Sequence, residues 1–281
     1  MLFDAHTHLN FSEFTDEERE ILAEEIATSD VAKIVDVADS VESAKQALLD
    51  AERYPWCFAA VGIHPDKAST YTDTDIEEIR RLYSHPKAVA IGEIGMDLYY
   101  GKESKEKQIE LFSKQIRLAI ELNAPIMVHS RDADKLTMDI LMSEGAFSED
   151  RKSKFPLRPV SKNWDYPKDA RVQLHCYSGS AEFAAEYVKL GATISLAGPV
   201  TFKNGKKPAE VARLIPIEFL LSETDAPYMS PEPLRGRQNK SQYIEHIVRR
   251  IALIKEMRFE DASRILSENG LRFFNIDSKC E

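Results

Sequence analysis

A pair of histidines, His6 and His8, follows a short apolar run at the start of the chain. Side chains two residues apart in a β-strand point to the same side, so the two imidazoles can be aimed at one point. Imidazole is a common ligand of divalent metal ions, although a pair alone is also compatible with a hydrogen-bonded polar end of a strand. The metal interpretation gains weight because similar side chains end several later apolar runs.

Four further metal-capable side chains end or closely follow apolar runs of strand length. They are Glu93, His129, His175 and Asp225. Burying so many polar groups at strand ends is costly unless they share a partner, and a metal centre is a partner that all of them can share. Six ligands are too many for one tetrahedral zinc ion, which in catalytic sites usually takes three protein ligands and a water. The set therefore indicates two divalent ions joined by a carboxylate.

We expect Glu93 to bridge the two ions, because its strand is central in the order of the strands. The first and last strands of a closed barrel are neighbours, so their side chains are expected to hold one ion and the fifth and sixth strands the other. The predicted groups are His6, His8 and Asp225 for one ion and His129 and His175 for the other. Four histidines favour Zn²⁺ or Mn²⁺ over Mg²⁺, which prefers oxygen ligands, but the identity of the ions stays open among these three.

Alternating apolar and amphipathic segments predict the elements that position these side chains. Eight apolar runs, expected to be strands, cover residues 2–6, 33–38, 57–63, 88–94, 125–129, 172–175, 193–197 and 219–223. Helical patterns cover residues 15–29, 40–53, 73–84, 104–122, 133–144, 181–190, 208–214, 241–257 and 259–273. This order predicts an α/β fold, a (β/α)8 TIM barrel with an extra C-terminal helix, formed by residues 1–281 as a single domain. A doubly wound open sheet is the competing fold, but the glycine-rich nucleotide motif that it often carries is absent.

A basic, proline-containing insertion near residues 147–170 interrupts the alternation. Its basic residues are Arg151, Lys152, Lys154, Arg158, Lys162 and Lys168. The segment lies between a helix and the next strand, so in a barrel it is expected at the face opposite the active site. A tolerated surface insertion is the favoured interpretation, and a contact with a partner or nucleic acid is the alternative.

Composition limits the class of protein. The net charge of −10 argues against a protein that coats nucleic acid, yet it is compatible with an enzyme whose site is locally positive. No run reaches the length of a membrane span, so no membrane association is expected. Cys57, Cys176 and Cys280 form no CxxC motif, and Cys57 and Cys176 fall in apolar, strand-like runs where buried thiols are expected. Reduced thiols and a cytoplasmic location are therefore expected.

Seven short motifs together resemble the TatD family of metal-dependent deoxyribonucleases. They are FDAHTH at 3–8, VGIHP at 61–65, IGEIGMD at 91–97, VHSR at 128–131, HCYSG at 175–179, GPVTFKN at 198–204 and ETDAPY at 223–228. The resemblance implies a (β/α)8 barrel, two divalent ions and hydrolysis of DNA phosphodiester bonds, often from the 3′ end. The metal ligands that it implies are the six residues already identified. The basic insertion near Phe155 is a departure from the family pattern.

The predicted reaction is attack on phosphorus by a metal-activated water, with Asp225 as the general base that accepts its proton. The expected substrate is DNA with a single-stranded or frayed end. The resemblance places His64 near the site, and Arg131 has the geometry to pair with a phosphate. Lys203 and Arg235 follow the seventh and eighth strands and are further candidates for substrate binding.

Two other functions stay open at this point. One is hydrolysis of a small ester, lactone or amide at the same two-metal site. Related barrels of that kind often bridge their ions with a carboxylated lysine on the fourth strand, and Glu93 at this position favours the nuclease. The other is a non-enzymatic scaffold, which has no need of bound divalent ions, so metal content separates it from both enzymes.

Overall fold

Eight parallel strands form one nearly closed barrel in the computed structural model, which describes residues 1–276. The strands are β1 Leu2–Thr7, β2 Val31–Val37, β3 Cys57–Val61, β4 Ala88–Asp97, β5 Ile126–Arg131, β6 Val172–Leu174, β7 Thr193–Leu196 and β8 Leu220–Ser222. Each strand pairs with the next along the chain, in the order β1 to β8. The β8 end meets β1 through the backbone N–H of Asp225, which donates to the His6 carbonyl at 2.9 Å. The predicted (β/α)8 barrel is therefore confirmed.

Ten α-helices connect or follow the strands among the described residues. They are α1 Asp16–Ala27, α2 Val41–Arg53, α3 Asp73–Tyr83, α4 Lys105–Glu121, α5 Asp134–Ser143, α6 Glu149–Ser153, α7 Ala181–Leu190, α8 Lys206–Leu214, α9 Ile244–Ile254 and α10 Phe259–Phe274. The first three begin at Thr15, Ser40 and Thr72, whose side chains accept from the backbone N–H three residues later. None of the helices within residues 1–276 combines the length and apolar character that crossing a lipid bilayer requires.

The strands are apolar on both sides because each lies between two cores. Alternate residues such as Val35 and Met127 belong to a cluster inside the barrel, while Ile34 and Val128 pack under the surrounding helices. The end of α10 joins the inner cluster, where the ring of Phe274 stacks on Phe3 in β1. The extra C-terminal helix therefore closes the barrel at the end where the strands begin.

The basic segment at 147–170 is less exposed than the sequence indicates. It contains the short helix α6, and two of its arginines are almost fully buried, Arg151 at 1% and Arg158 at 2% exposure. Arg151 donates to the carbonyls of Ala124 and Ala170 at 2.8 and 2.9 Å. Arg158 donates to the carbonyl of Ala192 at 2.6 Å, and the three carbonyls lie one or two residues before the first residues of β5, β6 and β7. Most of the segment lies at the surface, as expected, but these two arginines hold the starts of three strands.

The cysteines differ in their surroundings. Cys57 is buried in β3, as expected, and carries a free thiol. Cys176 lies beyond the end of β6 and is only partly buried, so its assignment to a strand was wrong. Cys280 lies outside the described residues.

Candidate metal centre

All six predicted ligands lie at the end of the barrel where the strands finish. His6 and Glu93 belong to β1 and β4, His129 belongs to β5, and the other two strand ends, β6 and β8, are followed by His175 and Asp225. His8 directly follows β1, with its side chain 11% exposed. The structure brings these six side chains into one cluster.

Glycine at position 95 permits the close approach of β4 and β5. The φ angle of Gly95 is +151°, and a β-carbon at this position would overlap the carbonyl oxygen of His129. The register of the two strands also shifts between Ile91 and Ile94, the segment that contains Glu93. A local irregularity in β4 therefore places the Glu93 carboxylate beside the imidazole of His129.

The two carboxylate oxygens of Glu93 face different pairs of histidines. Its Oε1 lies 2.7 Å from Nδ1 of His129 and 2.8 Å from Nε2 of His175. Its Oε2 lies 3.4 Å from Nε2 of His6 and 3.9 Å from Nε2 of His8. Glu93 is thus placed between two groups of nitrogen ligands.

The pair on β1 faces Asp225 as well as Glu93. The Nε2 atoms of His6 and His8 are 3.1 Å apart, and Oδ1 of Asp225 lies 3.6 and 3.4 Å from them. Nδ1 of His8 lies 2.8 Å from the carbonyl oxygen of Val37, to which it donates, and this hydrogen bond turns Nε2 of His8 towards the cluster. Asp225 has a φ angle of 56°, in the left-handed region that aspartate tolerates better than most residues.

Two outer carboxylates contact histidines of the cluster from behind. Oδ2 of Asp97 lies 3.4 Å from Nε2 of His129, and Oε1 of Glu223 lies 3.5 Å from Nδ1 of His175. Carboxylates in this position orient metal-binding imidazoles and raise their basicity. Neither carboxylate was predicted to contact the cluster, although each lies inside one of the seven motifs and Glu223 ends the eighth apolar run.

The ring nitrogens of the cluster are suited to a cation. Nε2 of His6 and Nε2 of His8 lie 3.1 Å apart, and each faces a carboxylate oxygen of the cluster. Nδ1 of His129 and Nε2 of His175 also face each other at 3.3 Å. Convergent nitrogens and carboxylate oxygens of this kind fit Zn²⁺, Mn²⁺ or a similar divalent ion.

The cluster keeps its carboxylates ionised. Burial acts to raise the pKa of Glu93, but the charge of His175 and hydrogen bonds from His129 and His175 hold that pKa well below its usual range. Burial of Asp225 is likewise outweighed, first by its hydrogen bond with His8, so the pKa of Asp225 is lowered. Burial acts to lower the pKa of His8, but Asp225 and Glu93 raise it to about 9. Two negative charges are therefore available to a divalent ion.

Comparison with known proteins identifies the family. The sequence model of the family described as TatD related DNase matches residues 3–275. The chain belongs to this family. The resemblance indicated by the seven motifs is therefore confirmed, and the chain is a metal-dependent hydrolase of the TatD family.

Two relatives and one solved structure show the extent of the similarity. The uncharacterized metal-dependent hydrolase YabD of Bacillus subtilis is 39% identical over 277 residues, covering 99% of this chain and 100% of YabD. The protein named 3′-5′ ssDNA/RNA exonuclease TatD of Musicola paradisiaca is 30% identical over 286 residues, with 100% of both chains covered. The crystal structure of YjjV, a TatD homolog from Escherichia coli K12, matches with a TM-score of 0.83 at 26% identity and covers 98% of both chains.

In this TatD family member the side chain of His64 lies beside two of the candidate ligands, Glu93 and His129. Its Nε2 is 3.8 Å from Oε1 of Glu93, and its ring meets that of His129 edge to face, with the centroids 4.7 Å apart. Its Nδ1 lies 2.8 Å from the Asp66 carboxylate. His64, Glu93 and His129 therefore form a further group with the spacing of metal ligands.

Of the three other predicted substrate contacts, Arg131 is the last residue of a strand, and Lys203 and Arg235 lie in loops that follow strands. Arg131 ends β5, two residues after His129, and its guanidinium lies over exposed tyrosine rings. Arg235 lies over the ring of Phe202, the residue before Lys203, at 4.3 Å from the ring centroid. Lys203 and Arg235 make no hydrogen bond or ion pair with the cluster within residues 1–276. The structure therefore brings these two together but does not join them to the metal centre.

Proposed function

We propose that this TatD family member is a deoxyribonuclease that hydrolyses DNA phosphodiester bonds with two divalent ions. The observation that carries the proposal is the division of Glu93, with Oε1 towards His129 and His175 and Oε2 towards the histidines of β1. A carboxylate in this position suits a bridge between adjacent ions, the arrangement of many enzymes that cleave phosphodiesters. The name of the Musicola relative, a 3′-5′ ssDNA/RNA exonuclease, supports a single-stranded or frayed substrate and cleavage from the 3′ end.

The six candidate ligands would hold two ions. One ion would be held by His6, His8 and Asp225, and the other by His129 and His175, with Glu93 between them. When bound, the ions would lower the pKa of water and stabilise negative charge on phosphate oxygens.

Asp225 is the proposed general base. Its carboxylate is kept ionised by its surroundings, and its Oδ1 lies within 3.6 Å of both β1 histidines, where it can accept a proton from the attacking water. Arg131, the last residue of β5, would pair with a phosphate of the substrate. Lys203 and Arg235 would contact the substrate outside the metal centre. The cytoplasmic location stays a prediction from the cysteine pattern.

The test is hydrolysis of single-stranded DNA labelled at the 3′ or the 5′ end. Metal-stripped protein, with Mg²⁺, Mn²⁺ or Zn²⁺ added back, is expected to give metal-dependent laddering whose pattern shows cleavage from the 3′ end. Asp225→Asn should reduce kcat about 10²- to 10⁴-fold because it removes the proton acceptor. Asp132→Asn is a matched control, since Asp132 also has a positive φ, of 53°, and is exposed beyond β5.

Near-normal hydrolysis by the folded Asp225→Asn variant would contradict the role of Asp225. If protein that binds two equivalents of metal cleaves no DNA with any ion, the nuclease proposal fails. Hydrolysis of a small ester, lactone or amide then becomes the better interpretation. Protein that binds no divalent ion would instead favour the non-enzymatic scaffold.

A further inference from the structure

Exposed aromatic side chains are confined to the mouth of the metal centre. Among residues 1–276 the large aromatic side chains that are mainly exposed are Tyr99 at 58%, Tyr100 at 75% and Tyr228 at 50%. All three lie in loops that directly follow β4 or β8, at the end of the barrel that carries the cluster. Leaving large rings in water is unfavourable, and a patch of this kind marks a binding surface.

Arg131 lies over two of these rings. Its guanidinium carbon is 4.2 Å from the centroid of Tyr99 and 4.6 Å from that of Tyr100, within the range of cation–π attraction. The two tyrosine rings meet edge to face, with their centroids 4.7 Å apart. No hydrogen bond or ion pair engages the Arg131 guanidinium within residues 1–276, so its N–H groups are available to an anion.

Asp97 fixes this aromatic cluster beside the metal centre. Its Oδ1 accepts from the backbone N–H groups of Tyr99 and Tyr100 at 2.9 and 2.8 Å. Its Oδ2 lies 3.4 Å from Nε2 of His129. One carboxylate thus contacts both the tyrosine turn and a candidate metal ligand, and it holds that turn beside the candidate metal centre.

Tyr228 occupies the opposite side of the mouth. Its backbone N–H donates to the Asp225 carbonyl at 2.8 Å, and its ring centroid is 6.1 Å from that of His8 and 5.8 Å from that of Phe11. Aromatic surface therefore flanks the cluster next to both predicted ion sites.

We propose that Tyr99, Tyr100 and Arg131 form a base-stacking platform for an unpaired nucleotide next to the scissile phosphate. Every base has a π-face, so stacking on tyrosine is strong and tolerant of sequence. The faces of bases inside a duplex are covered by their neighbours, whereas a terminal unpaired base is free to stack. Arg131 would support the stack from one side and donate to the adjoining phosphate. The inference rests on the proposed nuclease function and adds the residues that select unpaired ends.

The test compares two single-stranded DNA oligonucleotides of equal length, one of which lacks the bases of its last two 3′ nucleotides. With the unaltered protein, loss of these bases should lower kcat/KM about 10- to 100-fold, the range expected for one or two lost stacks. In the double variant Tyr99→Ala, Tyr100→Ala this ratio should fall below about threefold. The double variant Tyr99→Phe, Tyr100→Phe should keep the ratio, because phenylalanine retains the stacking face.

Tyr54→Ala is the matched control. The Tyr54 ring also lies near an arginine, with the Arg53 guanidinium 5.4 Å from its centroid, but Tyr54 precedes β3 at the opposite end of the barrel. This variant should show the ratio of the unaltered protein. A folded Tyr99→Ala, Tyr100→Ala variant with an unchanged ratio would overturn the platform, as would an unaltered protein that cleaves both oligonucleotides equally. If neither oligonucleotide is cleaved, the nuclease function itself fails.

Discussion

Asp97 and Glu223 differ from the candidate metal ligands because they contact the outer nitrogens of histidines and not the shared centre of the cluster. Glu223 is fully buried, and its Oε2 accepts from Ser195 Oγ at 2.6 Å and Gln173 Nε2 at 3.0 Å. Its Oε1 accepts from the backbone N–H of Cys176 and faces His175. Three hydrogen bonds, from residues of β6, of β7 and of the turn after β6, therefore fix the orientation of this carboxylate towards His175.

Glu223→Gln should weaken metal binding about 10- to 100-fold, the usual effect of losing a carboxylate behind a metal-binding histidine. The amide introduces N–H groups where the native carboxylate only accepts, so His175 loses its orienting partner. Competition with a chelating dye measures metal affinity directly, without reference to activity. Glu210→Gln, on the exposed face of α8, is the control and should bind metal like the unaltered protein. Unchanged affinity in the folded Glu223→Gln variant would exclude an orienting role.

The element that most constrains the site is the β4–β5 pair. Glu93 and His129 come from these two strands, and they reach 2.7 Å only because the backbones approach closely at Gly95. The apolar run of the sequence ends at residue 94, one residue before this glycine, so the sequence alone did not predict the close approach of the two strands.

Gly95→Ala should destabilise the protein by about 3 kcal/mol, since its β-carbon overlaps a backbone oxygen of β5 that cannot move alone. Gly145→Ala is a matched control, because Gly145 also has a positive φ, of +81°, but has nothing within 4 Å of an added β-carbon. The control should cost only about 1 kcal/mol, from the left-handed backbone. Urea unfolding in the presence of chelator measures both. Equal costs would show that the close approach of β4 and β5 does not matter.

The segment at 147–170 contacts the opposite end of the barrel, where strands β5 to β7 begin. Besides the Ala192 carbonyl, the Arg158 guanidinium donates to the carbonyls of Val188 and Tyr166 at 2.5 and 2.9 Å, and it lies over the ring of Phe219. This arginine therefore joins α7, the start of β7 and its own loop.

Arg158→Ala should lower the free energy of unfolding by about 3 kcal/mol, because it leaves buried carbonyls without donors. Lys162→Ala, at an exposed position of the same segment, should change it by no more than about 0.5 kcal/mol. Both variants remove one positive charge, so a role of the segment in binding DNA would appear as similar losses of DNA affinity in the two. Loss of stability confined to Arg158→Ala supports the structural role.

For the whole molecule, the sequence was sufficient to predict the barrel and to predict that these six side chains would lie close together. Apolar strands, polar strand ends and the helices between them are local patterns, and all six predicted ligands lie together at one end of the barrel. The burial of Arg151 and Arg158 was not predictable, because all but one of their acceptors, the Tyr166 carbonyl, lie 19 to 34 residues away along the chain. The orienting contacts of Asp97 and Glu223 also depend on pairing across strands.

The acidic charge of the whole molecule opposes the binding of the proposed DNA substrate. A net charge of −10 repels a polyanion. Bound divalent ions, together with Arg131, Lys203 and Arg235, would make the electrostatic potential at the site positive. Under the proposed function, two ions held on either side of Glu93 would both bind the phosphate and promote its cleavage, so activity should depend on filling both sites.

The most direct test of the two-ion account is the rate of hydrolysis of 3′-labelled single-stranded DNA by metal-stripped protein titrated with zero to three equivalents of Mn²⁺. The rate is predicted to stay low up to one equivalent, to rise steeply between one and two, and to level off beyond two. Full activity at one equivalent would contradict a bridged pair of ions, and no cleavage with both sites filled would contradict the nuclease.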